Sequence, residues 1–551
     1  MLHYIRELQL QKEWQKKTGM AAAVVLTLLA GVLLFSRHWR FELPFYPNVD
    51  EQLSLDCINK LLNQHLYAGD IYTLDFFRYP HLTFYYAALG VRILGKFFGG
   101  IDTAILLRYV VCGTALLSNV CIYFSAKVMT ENRKWAYLSF ALSVFSLYHY
   151  EYLFYTGPDT MLYAVANVIV LLGCLILREK DEERAVYLWY PLMAVCIGLA
   201  AAAKYHGVVF GIFWLSLHVV KRYWKRHRNN YLFFVDCMIL ALTFVLSNYS
   251  LFFHFKTFIG DNLYNLNHYA WGHPGIEHNL PLLGYLEAFM FSPYGLCGGL
   301  LLLLGLLHLV RSKEWKILVS LTLMPVCILL ILSKYRIVLG RNLSLILPFA
   351  FLFMTYGLME AERLFVNCTA KLRKAAGKNE RPRRNAAVHF GAAVTAILVL
   401  CNIVVVLGNY RYDLTYDRAE AYIKEQIPAG STIYCTSYAP VTDAERYGMI
   451  DIGEDISLLP DTLSENEFFI DTEYATGYFS QKKDYFLFRG GDMYPEKKAL
   501  YQGKTDAYTP VEKWQGLSYG GEWKYRIGYL DLFLRSPEEY YMGPSITVYG
   551  R

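Results

Sequence analysis

Long apolar runs recur along this chain, each of roughly 17 to 25 residues, the length a helix needs to cross about 30 Å of hydrocarbon. Backbone inside lipid must satisfy its own hydrogen bonds, so such runs restrict the fold to a bundle of membrane-spanning helices. With 551 residues, 55% of them hydrophobic, the chain is predicted to be a polytopic α-helical membrane protein. Its first run, Ala21 to Phe35, follows Arg6, Lys12, Lys16 and Lys17 and resembles a signal sequence. No small-x-small cleavage site follows before Asp50, so it reads as an uncleaved first span. The 11 cysteines are scattered and form no C-x-x-C pair; they read as small buried hydrophobes, not as a metal site or a disulfide framework.

Lys and Arg gather on the cytoplasmic side of short loops, which orients the spans. The basic N-terminus is therefore expected inside. Lys127/Arg133/Lys134, the run from Lys221 to Arg228, Arg311/Lys313/Lys316, and the segment from Arg363 to Arg384 are expected there too. Between them, spans are predicted near 19–36, 103–126, 135–150, 160–177, 186–203, 205–220, 231–252, 290–310, 317–333, 343–360 and 389–409, about 11 crossings. Phe84 to Phe98 is apolar as well, but Arg92 and Lys96 interrupt it. Counting it as a span would invert every later loop, so it is predicted to lie along the outer interface as an amphipathic helix.

An odd number of spans puts the C-terminus outside. Residues 1–409 form the predicted membrane domain, with a first outer loop at 37–102, and 410–551 a soluble extracytoplasmic domain. The latter has 15 Lys/Arg against 23 Asp/Glu, the former 38 against 24, a sign split that fits an acidic module on a positive-inside body. A polar helix from Asp417 to Gln426, a strand at Thr432-Ile433-Tyr434 and a last strand at Ser545 to Tyr549 predict a small α/β fold. The chain shows no internal repeat, so the inverted-repeat architecture of many transporters finds no support.

The expected outer loops carry the unusual polar residues. The first holds Asp50-Glu51, then Asp56, His65, Asp70, Asp75 and the run Phe76-Phe77-Arg78-Tyr79-Pro80-His81-Leu82. Pro158-Asp159 opens a span, and Lys204-Tyr205-His206-Gly207 joins two others. Asp261, His268, Trp271, His273, Glu277 and His278 share the fourth loop; Lys334-Tyr335-Arg336 and Gly340-Arg341-Asn342 share the fifth. Charges at this depth are costly unless they face a polar cavity, so their gathering on one face argues for a site. The rival readings are structural. The acidic pair can be a solvated loop, Lys204 and Arg341 can snorkel to the interface, Asp159 can cap its helix, and His206 can be a hydrogen-bonded core histidine. The His268/His273/His278 group beside Glu277 matches no established ligand spacing, so no metal is assigned and a divalent ion is not indicated.

Asp50-Glu51, Tyr79-Pro80-His81-Leu82, Pro158-Asp159, Gly198 to Tyr205, and Arg341 with Leu347-Pro348 together resemble the integral-membrane glycosyltransferases of family 39. That family belongs to the GT-C superfamily and includes protein O-mannosyltransferases and the aminoarabinose transferases of lipid A. The resemblance covers residues 19 to 360, and His81 stands where the family has a second proline. It implies a GT-C membrane body and transfer of a sugar from a polyprenyl-phosphate donor to an acceptor hydroxyl on the outer face of the cell membrane. No G-x-x-x-x-G-K-[ST] or G-x-G-x-x-G motif is present, which agrees with a lipid-linked donor in place of a nucleotide sugar.

Such a transfer needs a base for the acceptor proton and cations for the departing phosphate. Asp50 is the expected base, with Glu51 positioning it or the acceptor. Arg78, Lys204, Arg336 and Arg341 are candidates for the phosphate clamp, and Asp159, Tyr79, His81, Tyr205 and His206 for substrate contacts. One base without a second nucleophile suggests direct displacement with inversion. Membrane lipids, the lipid-linked donor and an acceptor glycan, lipid or protein are the expected partners; nucleic acid is not. Two other classes remain open. A transporter or lipid flippase would predict repeated halves, and a receptor or assembly protein would place its function in the C-terminal module.

Overall fold

The computed structural model describes residues 2–36, 49–64, 73–271, 280–291, 293–335, 338–375, 384–436, 439–441, 443–453, 455–472, 495–516 and 536–551. Its helices run α1 (Leu2–Phe35), α2 (Val49–Leu62), α3 (Leu82–Phe97), α4 (Thr103–Ser118), α5 (Val120–Thr130), α6 (Arg133–Val144), α7 (Pro158–Arg178) and α8 (Tyr190–Ala203). They continue as α9 (Phe210–Val220), α10 (His227–Ser247), α11 (Phe255–Trp271), α12 (Pro281–Phe291), α13 (Gly295–Arg311), α14 (Trp315–Leu332), α15 (Leu347–Ala375) and α16 (Arg384–Asn409).

Among the described residues, seven helices are long and apolar enough to cross a membrane: Thr18–Phe35 of α1, α4 with α5, α7, Glu182–Ala203 ending in α8, α10, α14, and Phe390–Asn409 of α16. The bent pair α12 and α13 makes an eighth when taken as one span. Every one of the 11 predicted crossings falls on helix, and the rest fall short for local reasons. α6 has 12 residues and gives way to a π-helical turn at His149–Leu153. Tyr205–Val220 begins as a 3₁₀ turn, and the 29-residue α15 carries Glu360, Glu362 and Arg363. α3 buries Phe84, Ala87, Ala88 and Val91 while exposing Leu89, Ile93 and Phe97.

Glycines let the helices meet backbone to backbone. A Cβ on Gly305 would stand 2.0 Å from the Phe353 carbonyl oxygen, and one on Gly357 2.0 Å from that of Leu301, so α13 and α15 touch without intervening side chains. Gly198 serves α8 and α10 in the same way, since its Cβ would come within 2.7 Å of the Leu240 carbonyl oxygen.

The basic clusters gather at one end of the bundle, where acidic side chains tie them together. Lys134 pairs with Glu362 at 2.5 Å, Arg311 with Glu360 at 2.8 Å and Arg226 with Glu182 at 2.8 Å; Arg363 also binds Glu360. Arg178, at the last turn of α7, donates to the Met129 carbonyl at 2.6 Å. The first turn of α7, with Asp159, therefore lies at the opposite end.

The C-terminal module contains α17 (Thr415–Gln426), β1 (Thr432–Cys435), β2 (Gly448–Asp451), β3 (Glu467–Thr472), α18 (Pro495–Thr505), β4 (Thr509–Gly516), β5 (Tyr540–Tyr541) and β6 (Ile546–Gly550). The strands form one mixed sheet in the order β2-β1-β3-β6-β4-β5, parallel from β2 to β3 and antiparallel across β3, β6 and β4. Side chains alternate across a strand. Ile433, Ile470 and Val548 therefore pack with Tyr416, Ala419 and Ile423 of α17, while Phe469 and Tyr549 pack on the other face with Tyr501 of α18.

Candidate functional site

Asp50 and Glu51 open α2, in its first turn. The side chain of Asp50 lies outside the described residues; that of Glu51 is fully buried against α4. Arg108 Nε donates to Glu51 Oε1 at 2.8 Å and Arg108 Nη2 to Oε2 at 2.6 Å, a bidentate pair closed from solvent. The Thr156 amide also donates to Glu51 Oε1 at 3.2 Å, and the Arg108 guanidinium lies 5.6 Å from the centre of the Tyr155 ring. One carboxylate thus joins α2, α4 and the loop that enters α7, and it fixes the backbone that carries Asp50.

A second buried pair stands at the mouth of α7. Pro158 occupies the start of the helix, where its missing N–H costs nothing, and Gly157 is the cap residue. Asp159 is therefore not the cap. Its Oδ1 accepts from Lys204 Nζ at 2.8 Å, and Lys204 Nζ also donates to Asn342 Oδ1 at 3.0 Å. Lys204 reaches this position because α8 ends there in an extended residue and the chain turns back sharply. Gly207 makes the turn: a Cβ on it would sit 2.3 Å from the Ala200 carbonyl oxygen. His206 is half-buried within electrostatic reach of Lys204.

Arg341 lies in the 3₁₀ turn Gly340–Leu343, immediately before Asn342. Tyr148 Oη donates to the carbonyls of Gly340 and Arg341 at 2.8 and 3.1 Å. A Cβ on Gly340 would stand 2.5 Å from Tyr152 Oη, so only glycine lets this turn approach so closely. The turn places the half-buried Arg341 next to the residue that holds Lys204.

The segment Phe76 to His81 is held by polar groups from elsewhere. The Phe77 amide donates to Asp261 Oδ2 at 2.6 Å, and the Phe77 carbonyl accepts from Tyr205 Oη at 2.8 Å. Asn265 Nδ2 donates to the Arg78 carbonyl at 2.8 Å, while the exposed Arg78 guanidinium stacks over Tyr264 at 4.1 Å. Tyr79 is half-buried with its ring against Phe76. His81 is completely buried: its amide donates to Asn248 Oδ1 at 2.8 Å, its ring stacks on Phe77 at 4.4 Å, and its Nε2 donates to the Phe76 carbonyl at 2.7 Å. Burial pushes its pKa down to about 4, so the ring is neutral.

The predicted residues Glu51, Asp159, Lys204, Tyr205, His206 and Arg341 thus share the end of the bundle opposite the basic clusters, whereas Arg78 and Tyr79 stand on the flanking segment. Arg336 and the side chains of His268, Trp271, His273, Glu277 and His278 lie outside the described residues. No group of three His, Cys, Asp or Glu that could hold a metal ion occurs among the described residues. Sequence reasoning missed Arg108 and Tyr148, and gave Asn342 no role of its own. Arg108 carried a usable signal: a cation one turn into an apolar span needs a partner.

Fold and site define the class, a multi-pass helical membrane protein with a C-terminal α/β module and paired buried charges at one end of its bundle. The solved structures similar to it include the following three. ArnT from Cupriavidus metallidurans in the apo state has 11% sequence identity and a TM-score of 0.49, over 82% of this chain and 93% of that one. The same protein bound to undecaprenyl phosphate has 13% identity and a TM-score of 0.46, over 82% and 94%. The apo oligosaccharyltransferase of Archaeoglobus fulgidus has 11% identity and a TM-score of 0.46, over 93% and 81%. No protein-family model matches the chain, and no curated protein does.

Proposed function

We propose that this chain is a GT-C type integral membrane glycosyltransferase. It takes a sugar from a polyprenyl-phosphate donor and gives it to an acceptor hydroxyl at the outer face of the cell membrane, with inversion. The observation that carries the reading is convergence: Glu51, Arg108 and Thr156, then Asp159, Lys204 and Asn342, come from distant parts of the sequence to one end of the bundle. Of the motifs that resemble family 39, Asp50-Glu51, Pro158-Asp159, Lys204 and Arg341 lie there as well, with Tyr79-Pro80-His81-Leu82 on the flanking segment.

In this reading Asp50 accepts the proton of the acceptor hydroxyl as the oxygen attacks the anomeric carbon. The C–O bond to phosphate breaks on the opposite side, and the lipid phosphate leaves with the electron pair. Glu51, locked on Arg108, is a positioning residue for Asp50. Asp159 and Asn342 take two of the three N–H donors of Lys204 and leave one for the phosphate. Asp159 also balances the lysine charge, and Arg341, in the turn beside Asn342, is the second cation for the leaving phosphate. The basic end faces the cytoplasm and the C-terminal module faces outward.

The test is purified protein in lipid nanodiscs, supplied with a panel of synthetic polyprenyl-phosphate monosaccharides and a delipidated cell-envelope extract as acceptor. Release of polyprenyl phosphate, lost on Asp50→Asn, is expected. Release from nucleotide sugars without a lipid carrier, or undiminished release by Asp50→Asn, would overturn the reading.

A further inference from the structure

The helix α11 follows the span α10 after the short turn Tyr249–Phe252. Successive residues advance about 100° around a helix axis, and on that count the surface of α11 divides into three sectors. Phe258, Asp261, Asn262 and Asn265 share the first, which grips the protein. Phe258 meets Phe77 edge to face at 5.5 Å, Asp261 and Asn265 hold the Phe77 amide and the Arg78 carbonyl, and Asn262 Nδ2 reaches Tyr205 Oη at 3.4 Å. Phe255, Ile259, Leu263 and Leu266 share the second, with exposures of 59, 44, 56 and 61%. Lys256, Thr257, Gly260 and Asn267 occupy the third and are exposed as well.

A row of four large exposed apolar side chains beside a polar row suits neither water nor the interior of a bilayer. It suits the boundary between them. Connectivity supplies that boundary: α10 is long and apolar enough to cross the membrane, and the exposed Phe252 and Phe253 carry its apolar surface on to the start of α11. Lys256, beside the apolar row, is placed to reach lipid phosphate while its methylenes stay over hydrocarbon.

We propose that α11 lies in the membrane surface where α10 emerges, with Phe255, Ile259, Leu263 and Leu266 among the acyl chains of phospholipids. The first face then holds the Phe76–His81 segment, and Tyr205 next to Lys204, at a fixed height above the bilayer. The partner is the phospholipid surface itself.

The whole protein in nanodiscs that contain a phosphatidylcholine with an acyl-chain diazirine provides the test, with adducts mapped by mass spectrometry after illumination. Adducts are expected on Phe255, Ile259, Leu263 and Leu266 but not on Thr257 or Asn267. The exposed Phe234, Met238 and Leu242 of α10 serve as the internal positive control. Adducts on α10 without any on the apolar row of α11, or equal labelling of both rows, would overturn the proposal. The double variant Ile259→Glu/Leu263→Glu changes only exposed positions. It should speed hydrogen exchange of the Phe77 amide about tenfold as the lipid hold on α11 is lost, with α10 labelling unchanged. Unaltered exchange would refute the coupling to the Phe76–His81 segment.

Discussion

Arg108→Met should destabilise the protein more than Arg108→Met/Glu51→Gln does. The pair is closed from solvent, with 0% of the Arg108 side chain and 2% of the Glu51 side chain exposed, and is joined by two parallel hydrogen bonds. Removing the guanidinium leaves Glu51 with the Thr156 amide at 3.2 Å but without its counter-charge. Breaking a buried pair in this way costs about 3–5 kcal/mol, mostly the desolvation of the orphaned charge. Replacing both charges removes that penalty and leaves a neutral amide that can still accept from Thr156. The double variant should therefore lose only about 1–2 kcal/mol. Arg108→Lys falls between, because an ammonium presents a point charge where the fork gave two bonds.

Unfolding free energies of the wild type, Arg108→Met, Glu51→Gln and the double variant, measured by denaturant titration in mixed micelles, form a double-mutant cycle. The expected coupling is at least about 2 kcal/mol and favours the pair. Single variants that each cost under about 0.5 kcal/mol, or losses that simply add, would refute the claim that this carboxylate is held by a charge partner. Turnover separates the positioning role from stability. Asp50 shares a helix turn with Glu51, so the double variant should stay folded yet turn over slowly.

Gly357→Leu places side-chain atoms where the Leu301 carbonyl oxygen already stands 2.0 Å from the Cβ position, so α13 and α15 must separate; a loss of at least about 3 kcal/mol, seen as poor recovery of folded protein on gel filtration, is expected. His81 has a folded-state pKa near 4 against 6.5 in the unfolded chain, so the unfolded state binds the proton first. The contribution is whole above pH 6.5 and is lost as pH falls toward 4, about 3 kcal/mol in all, and His81→Asn should flatten that slope in thermal melts across this range. Asp50→Asn should spare donor binding and cut single-turnover rates about 100-fold or more, whereas Arg341→Ala should weaken donor binding by a few kcal/mol, about the value of a desolvated charge-assisted contact.

The helical class was legible because apolar run length reports it directly, and each predicted crossing falls on helix. Where crossings break was not legible, because the breaks come from tertiary demands. The chain stops α8 at Lys204 to bring an ammonium to Asp159, and the reversal after it depends on how closely Gly207 approaches Ala200. Hydropathy averages over such residues. The same averaging hid Arg108 inside an apolar span, although a lone cation there implies a carboxylate partner, which Glu51 supplies.

The flanking segment shows a different limit. Its residue types suggested substrate contacts for Tyr79 and His81; in the fold the His81 Nε2 goes to the Phe76 carbonyl and its amide to Asn248, while the buried Nδ1 has no partner among the described residues. Histidine here does what a second proline does by covalent restraint: it holds a sharp bend ahead of α3, through a stacked ring and two hydrogen bonds. Polar residue type alone does not separate a group that binds a ligand from one that binds its own backbone. The distinction lies in whether the hydrogen-bonding capacity is already used. At the mouth of α7 it is used only in part among the described residues, since Asp159 and Asn342 account for two of the three donors of Lys204. Under the proposed function that spare donor is what Lys204 offers a ligand, whereas Glu51 and Arg108 are committed to each other.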